Sequence, residues 1–236
     1  YTFVLASKGE VGEVTNLYAI TAFLLVLLTF GMETGFFRFV NKHEEEEKTV
    51  YATTLITVGS VIALFTLLVI LFRGSVSGLF TQVSHPEYVT EYITIMAIVV
   101  GLDAFSAIPF AYLRYKKKPL RFAGIKLIFV ILNIAFNLFF LIVCPWLVKT
   151  GQASLIEWFY RPGYSVGYVF MANLLATFLQ TLFLTPYLIG FRYTFDFNLV
   201  KRMLRYSLPL LVLGIAGIMN QTFDKMMMPY LIDPSD

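Results

Sequence analysis

Two aspartates stand inside long apolar runs of this 236-residue chain, Asp103 near the middle of one run and Asp224 in the last. A carboxylate at hydrocarbon depth is costly and usually marks an ion or substrate path. The chemistry open to it is reversible capture of a proton or a sodium ion, although Asp224 has Lys225 beside it and could pair there instead. Glu33 is a third acid, set between Gly31 and Gly35, a small-xxx-small spacing that lets another helix approach closely. Arg38, Arg114 and Lys126 lie near the ends of apolar runs, where a cation either snorkels to the interface or holds an anion. Asn133, Asn137, Asn173, Gln180 and Asn220 recur at helical spacing, as do Thr53, Thr57 and Ser60, with Thr177 between Asn173 and Gln180. Each such stripe either bonds neighbouring helices together or lines a wet path.

Covalent chemistry finds no equipment in the sequence. The histidines, His43 and His85, fall in loops, and no phosphate-binding glycine loop, Ser/His/Asp set or carboxylate pair is present. Cys144 stands alone in an apolar run and reads as a small buried hydrophobe, which excludes an internal disulfide and a cysteine metal site. The HEEEEK run at 43–48 reads as a solvated loop, because consecutive side chains do not converge on one ion. Neither a metal nor an organic cofactor is expected, and neither is enzymatic activity.

The elements that must position these residues are membrane helices. The chain is 58% hydrophobic and 14% charged, with mean hydropathy +0.75, outside the range of soluble domains. Six stretches are long enough to cross a bilayer as helices: 17–40, 51–72, 93–114, 122–147, 166–189 and 208–232. The expected fold is an all-α polytopic bundle. Pro109 removes a backbone hydrogen bond to Phe105 and predicts a kink, while Pro119 marks a helix start. Before the last span, Leu199, Met203 and Tyr206 lie on one side of a short helix and Lys201, Arg202 and Arg205 on another, which predicts an amphipathic helix on the membrane surface. Trp158, Tyr160 and Tyr164 suit the water interface beside the fifth span.

Of the 18 Lys and Arg residues, 13 fall in one alternate set of loops, 4 in the other and Lys225 in the last span. The positive-inside rule makes the first set cytoplasmic and places both ends of the chain outside. A net charge of +3 gives no reason to expect a nucleic-acid partner. The chain opens at Tyr1 without an initiator Met and stops just past an apolar run, so it reads as a piece of a longer protein.

The stretches LYAITAFLLVLLTFGMETGFFRF, VYATTLI, PFAYLRYKKKPLRFAGIK after Asp103, and SLPLLVLGIAGIMNQTFDKMMMPYLI resemble bacterial polysaccharide-export flippases. These belong to the multidrug/oligosaccharidyl-lipid/polysaccharide exporter superfamily. The resemblance implies a two-lobed transporter that moves lipid-linked oligosaccharide, of the polyprenyl diphosphate type, across the inner membrane by alternating access. It makes residues 1–197 the N-terminal bundle without its first span, 198–207 the amphipathic link, and 208–236 the start of the second bundle. A piece so cut would lack five of the twelve core helices and would not transport by itself. The polar stripes would then face a cavity, with Glu33, Arg38, Arg114, Lys126, Asn133, Asn137, Asn173, Gln180 and Asn220 as its candidates. Arg38, Arg114 and Lys126 would meet the diphosphate, and Asp103 or Asp224 would carry the coupling ion. Membrane lipids and polysaccharide-assembly proteins are the other expected partners. An ion-coupled multidrug antiporter of the same superfamily is the alternative; a scaffold or polymerase of polysaccharide assembly is a further one, disfavoured by the short outer loop at 149–165.

Overall fold

The computed structural model describes residues 8–42, 47–78, 86–150, 156–161, 163–189 and 194–231, without the side chains of 8–10, 13 and 218–231. Nine α-helices account for most of these residues. They are α1 (Lys8–Thr29), α2 (Met32–Lys42), α3 (Glu47–Leu71), α4 (Arg73–Ser77), α5 (Val89–Tyr115), α6 (Pro119–Leu138), α7 (Cys144–Lys149), α8 (Ser165–Leu184) and α9 (Phe197–Leu231). A π-helical turn, Phe139–Val143, joins α6 to α7. Among the described residues, five segments are long and apolar enough to cross a membrane: Val14–Lys42, Glu47–Leu71, Pro86–Tyr115, Pro119–Lys149 and Ser165–Tyr187. The sixth expected stretch, 208–232, lies in α9 up to Leu231.

Helix α5 is the axis of the bundle. In it and in α8, more than half of the apolar window is buried, against 22% or less in the other spans. Near the start of α5, Tyr92, Met96 and Val99 pack with Val14 and Leu17 of α1 and Val166, Val169 and Phe170 of α8. Near its other end, Ala104, Ile108 and Tyr112 pack with Phe36 of α2, Tyr51 and Leu55 of α3, and Leu199 and Met203 of α9. A third group joins Phe110 and Leu113 to Leu184, with Phe122 and Ile125 of α6 against them. The outward faces of α3 and α6 carry exposed leucines and isoleucines, Leu67, Leu71, Leu127, Ile131 and Ile134 among them, as lipid-facing surfaces do.

Two expectations from the sequence are corrected. The run 17–40 is not one helix. It breaks at Phe30 and Gly31, with φ of 31° and 66° respectively, and resumes as α2. Left-handed φ is costly for a residue with a Cβ, and Gly31 supplies half of the break without that cost. A Cβ on Gly31 would stand 3.0 Å from the Ser207 carbonyl oxygen, and one on Gly35 would meet the Ser207 hydroxyl. The helix that the small-residue spacing was expected to admit is therefore α9. The second correction concerns that helix. The amphipathic stretch does not lie with its apolar face on lipid: Leu199 and Met203 are buried against α2 and α3, while Lys201, Arg202 and Arg205 are exposed. It also continues into the last span without interruption. Its start is fixed by Asp196, whose Oδ1 accepts the Asn198 and Leu199 amides at 2.8 and 3.2 Å, a helix N-cap.

Pro119 opens α6 as expected, and Pro109 lies inside the continuous α5. In the Thr/Ser stripe of α3, Thr57 bonds to its own helix and Thr53 to the connection before α9. Thr54 and Thr57 donate to carbonyls four residues back at 2.7 Å. Thr53 donates to the Thr194 carbonyl and accepts the Asp196 amide, which ties α3 to the start of α9.

Gly31→Ala should therefore destabilise the protein by about 1–3 kcal/mol through left-handed strain and crowding at Ser207. Gly124→Ala is the control, since a Cβ there meets nothing within 4 Å. Thermal unfolding of the full-length protein in detergent checks both; equal melting temperatures for the two variants would contradict the α1/α2 break.

Candidate functional site

The polar stripes of α5, α6 and α8 meet in one seam. α5 and α8 run parallel, so Ser106 reaches Thr181 across them, Oγ to Oγ1 at 3.2 Å. One and two turns earlier on α8 are Thr177 and Asn173. Asn173 Oδ1 accepts from Asn133 Nδ2 of α6 at 3.0 Å. Asn137 Nδ2 in turn donates to the Asn133 carbonyl and side-chain oxygens at 2.8 and 2.7 Å. Four of the expected residues thus lie on this seam, Asn133, Asn137 and Asn173 bonded and Gln180 unbonded. Gln180 is 1% exposed, and neither its Oε1 nor its Nε2 has a partner; the buried Asn137 Oδ1 is unsatisfied too. Unpaired amide atoms in a sealed interior carry a desolvation penalty of order 1–3 kcal/mol each.

Asp103 faces this seam from α5, with Thr177 of α8 and Lys126 of α6 as its polar neighbours. Lys126 lies within electrostatic reach of Asp103 on one side and Arg114 on the other. Its Nζ sits 4.4 Å from the centre of the Phe110 ring and 5.7 Å from that of Phe129. Arg114, in the last turn of α5, forms an ion pair with Glu33 in the first turn of α2. That position also places the carboxylate at the positive end of the α2 dipole. The Arg114 guanidinium lies 5.4 Å from the Phe37 ring centre and 5.6 Å from that of Phe122. From the end of the bundle towards its middle, Glu33, Arg114, Lys126 and Asp103 therefore set two adjacent cations between two carboxylates, with phenyl rings beside the cations. The helix break supplies Glu33 to this arrangement, because it starts α2 beside the end of α5.

Arg38 is placed apart from these, 4.0 Å over the Tyr206 ring of α9, a cation–π contact. Asn220 and Asp224 lie in α9, and their side chains are outside the described residues.

Sequence reasoning missed Glu47. Residues 43–46 of its acidic run are outside the described residues, but Glu47 itself opens α3, accepts from the Tyr112 hydroxyl at 2.9 Å and pairs with Lys116 at 2.7 Å. Tyr112 stacks on Tyr51 at 4.3 Å, and the Tyr51 hydroxyl donates to the Tyr187 carbonyl at 2.9 Å. Nothing in HEEEEK distinguishes its last glutamate. The available signal was its position one turn before Tyr51.

The arrangement can hold an anion at an exposed cationic edge and carries hydrogen-bonding groups in the adjoining seam. An Asn133→Ala, Asn173→Ala double-mutant cycle on stability should give a coupling of about 0.6–1.7 kcal/mol, the range for interhelical bonds in membranes. Gln180→Leu should leave the melting temperature unchanged or raise it, since it removes two unsatisfied polar atoms. A large loss of stability in Gln180→Leu would show that the amide is bonded in the folded protein.

Comparison with curated proteins and with solved structures gives no match. The family model described as Polysaccharide biosynthesis protein matches residues 1–236, the whole chain. With apolar helices long enough to cross a bilayer and a family model that spans its entire length, this membrane chain belongs to the polysaccharide biosynthesis protein family.

Proposed function

We propose that the full-length protein flips lipid-linked oligosaccharide across the bacterial inner membrane by alternating access, for O-antigen or capsule export, and that this chain supplies most of one lobe. The observation that carries the reading is the cationic edge. Arg114 and Lys126 stand together at one end of the bundle, flanked by phenyl rings, at the mouth of a seam rich in amides and hydroxyls. A diphosphate carries charge that hydrocarbon rejects, and an arginine fork with a neighbouring ammonium is suited to hold it. Amides and hydroxyls suit the sugars. The Asn133–Asn173 bond and the burial of Gln180 mean that these groups meet a sugar only when the α6–α8 seam parts. Arg38 is a further phosphate contact on this reading.

The loops with the excess of Lys and Arg are cytoplasmic, so the Arg114 end receives substrate on the side where it is made. Asp103 carries the coupling proton or sodium ion, with Asp224 as the second candidate. Thr177 and Lys126 beside Asp103 support its choice: one offers an oxygen, the other a competing cation. No covalent step is assigned to the protein. Cations at the mouth disfavour a cationic drug as cargo, which places the antiporter reading second.

Deleting the complete gene should cause lipid-linked oligosaccharide to accumulate in the cell and surface polysaccharide to be lost. Normal surface polysaccharide with new sensitivity to cationic dyes would replace this reading with the antiporter. In the complemented strain, Arg114→Gln and Lys126→Gln should each lower export about tenfold or more, the worth of one charge-assisted bond to phosphate. Lys201→Gln, on the exposed face of α9, should not. Asp103→Asn should abolish the dependence of export on the proton or sodium gradient; if the dependence persists in both Asp103→Asn and Asp224→Asn, neither carries the ion.

A further inference from the structure

At the end of the bundle remote from Arg114, a pocket of about 240 Å³ opens between α4, α5 and α8. Arg73 forms one wall, Thr90, Glu91 and Thr94 of α5 a second, and Tyr164 and Met171 a third. Among the described residues no carboxylate pairs with Arg73. Glu91 pairs with Arg161 at 3.5 Å, and at 49% side-chain exposure it keeps open surface towards solvent. Burial, and then a hydrogen bond with Glu91, hold the Tyr164 hydroxyl well above the ordinary tyrosine range, so it remains a donor at any physiological pH.

The pocket adjoins a lipid-facing surface. Leu64, Leu67, Leu68 and Leu71 of α3 and Phe72 after it are each 44–66% exposed, and the stripe they form ends at Arg73. A ligand anchored on Arg73 can therefore lay an apolar tail along α3. A neutral sugar would leave both the guanidinium and the stripe unused. A purely anionic lipid would meet the Glu91 carboxylate, which repels a negative group and accepts an ammonium.

We propose that this pocket binds the headgroup of a phosphoethanolamine phospholipid, its phosphate on Arg73 with the Thr90 hydroxyl, its ammonium on Glu91, and its acyl chains along the exposed leucines of α3. An arginine guanidinium holds a phosphate through charge-assisted hydrogen bonds. The proposal is independent of what the other end of the bundle transports.

The test is native mass spectrometry of the full-length protein in detergent, offered equal amounts of dioleoyl phosphatidylethanolamine and dioleoyl phosphatidylglycerol. The wild type should retain the ethanolamine lipid in preference. Arg73→Gln should lower retention of both about tenfold, as expected for loss of one charge-assisted phosphate contact. Glu91→Gln should abolish the preference between them while retaining lipid. Both side chains are solvent-exposed, and circular dichroism with unchanged melting confirms that the variants fold. Equal retention by the wild type and Arg73→Gln, or an unchanged preference in Glu91→Gln, overturns the proposal. Soluble phosphoethanolamine at the same concentration should fail to displace the lipid, because it lacks the tail. Displacement would overturn the lipid assignment and make the ligand a free phosphate ester.

Discussion

A polar side chain at bilayer depth has no water to turn to, so a group that its own backbone cannot satisfy must find its partner on another helix. The architecture follows from that requirement. α5 carries both Asp103 and Ser106 and is the most buried span, because the groups that answer them stand on α6 and α8. α3, whose hydroxyls bond mostly to its own backbone or to the connection before α9, makes fewer demands and faces outward over much of its length. The distribution of leucine outside and amide inside is thus one constraint seen from two sides.

Periodicity made much of this legible. The stripes of α6 and α8 could be read from spacing alone, and Asn133 and Asn173, each placed on a stripe by that reading, are bonded to each other. The span positions and the start at Pro119 were similarly accessible, since hydropathy and proline act locally. Pairing was not. Glu33 and Arg114 are 81 residues apart, and their union depends on the left-handed break at Phe30 and Gly31. That break packs closely against the Ser207 backbone of a helix far along the chain. The spacing of Gly31 and Gly35 announced a close neighbour but could not say which one, nor that the helix would bend to meet it. The amphipathic stretch of α9 misled for a related reason. An apolar stripe opposite basic residues is the same pattern whether lipid or protein covers it, and here the covering surfaces are α2 and α3.

The two ends of the bundle differ in chemistry. One gathers Arg114, Lys116 and Lys126 among phenyl and phenol rings, and their carboxylates, Glu33 and Glu47, come from other helices. At the other, Tyr88, Tyr160, Tyr164 and Tyr168 form a cluster in which the pairs Tyr88–Tyr164, Tyr160–Tyr168 and Tyr164–Tyr168 have ring centroids 4.9–5.2 Å apart, and Trp158 is exposed. Cations shared between carboxylates and ring faces are held without being fully neutralised, the property that the proposed function draws on. A tyrosine cluster has no such surplus and suits a fixed boundary with water.

The unbroken course of α9 makes it a lever. Its first turn is capped by Asp196 and tied to α3 through Thr53, and Ser207 is seated against Gly31 and Gly35. Ser207 is then a fulcrum, and the arm from there to Leu231 is 24 residues, roughly 36 Å at the helical rise of about 1.5 Å per residue. A tilt of about 5° at Ser207 displaces the far end by roughly 3 Å over that length. Because the same two glycines flank Glu33, the seat of α9 and the Glu33–Arg114 ion pair share one short piece of backbone, and a displacement of either would be felt by the other.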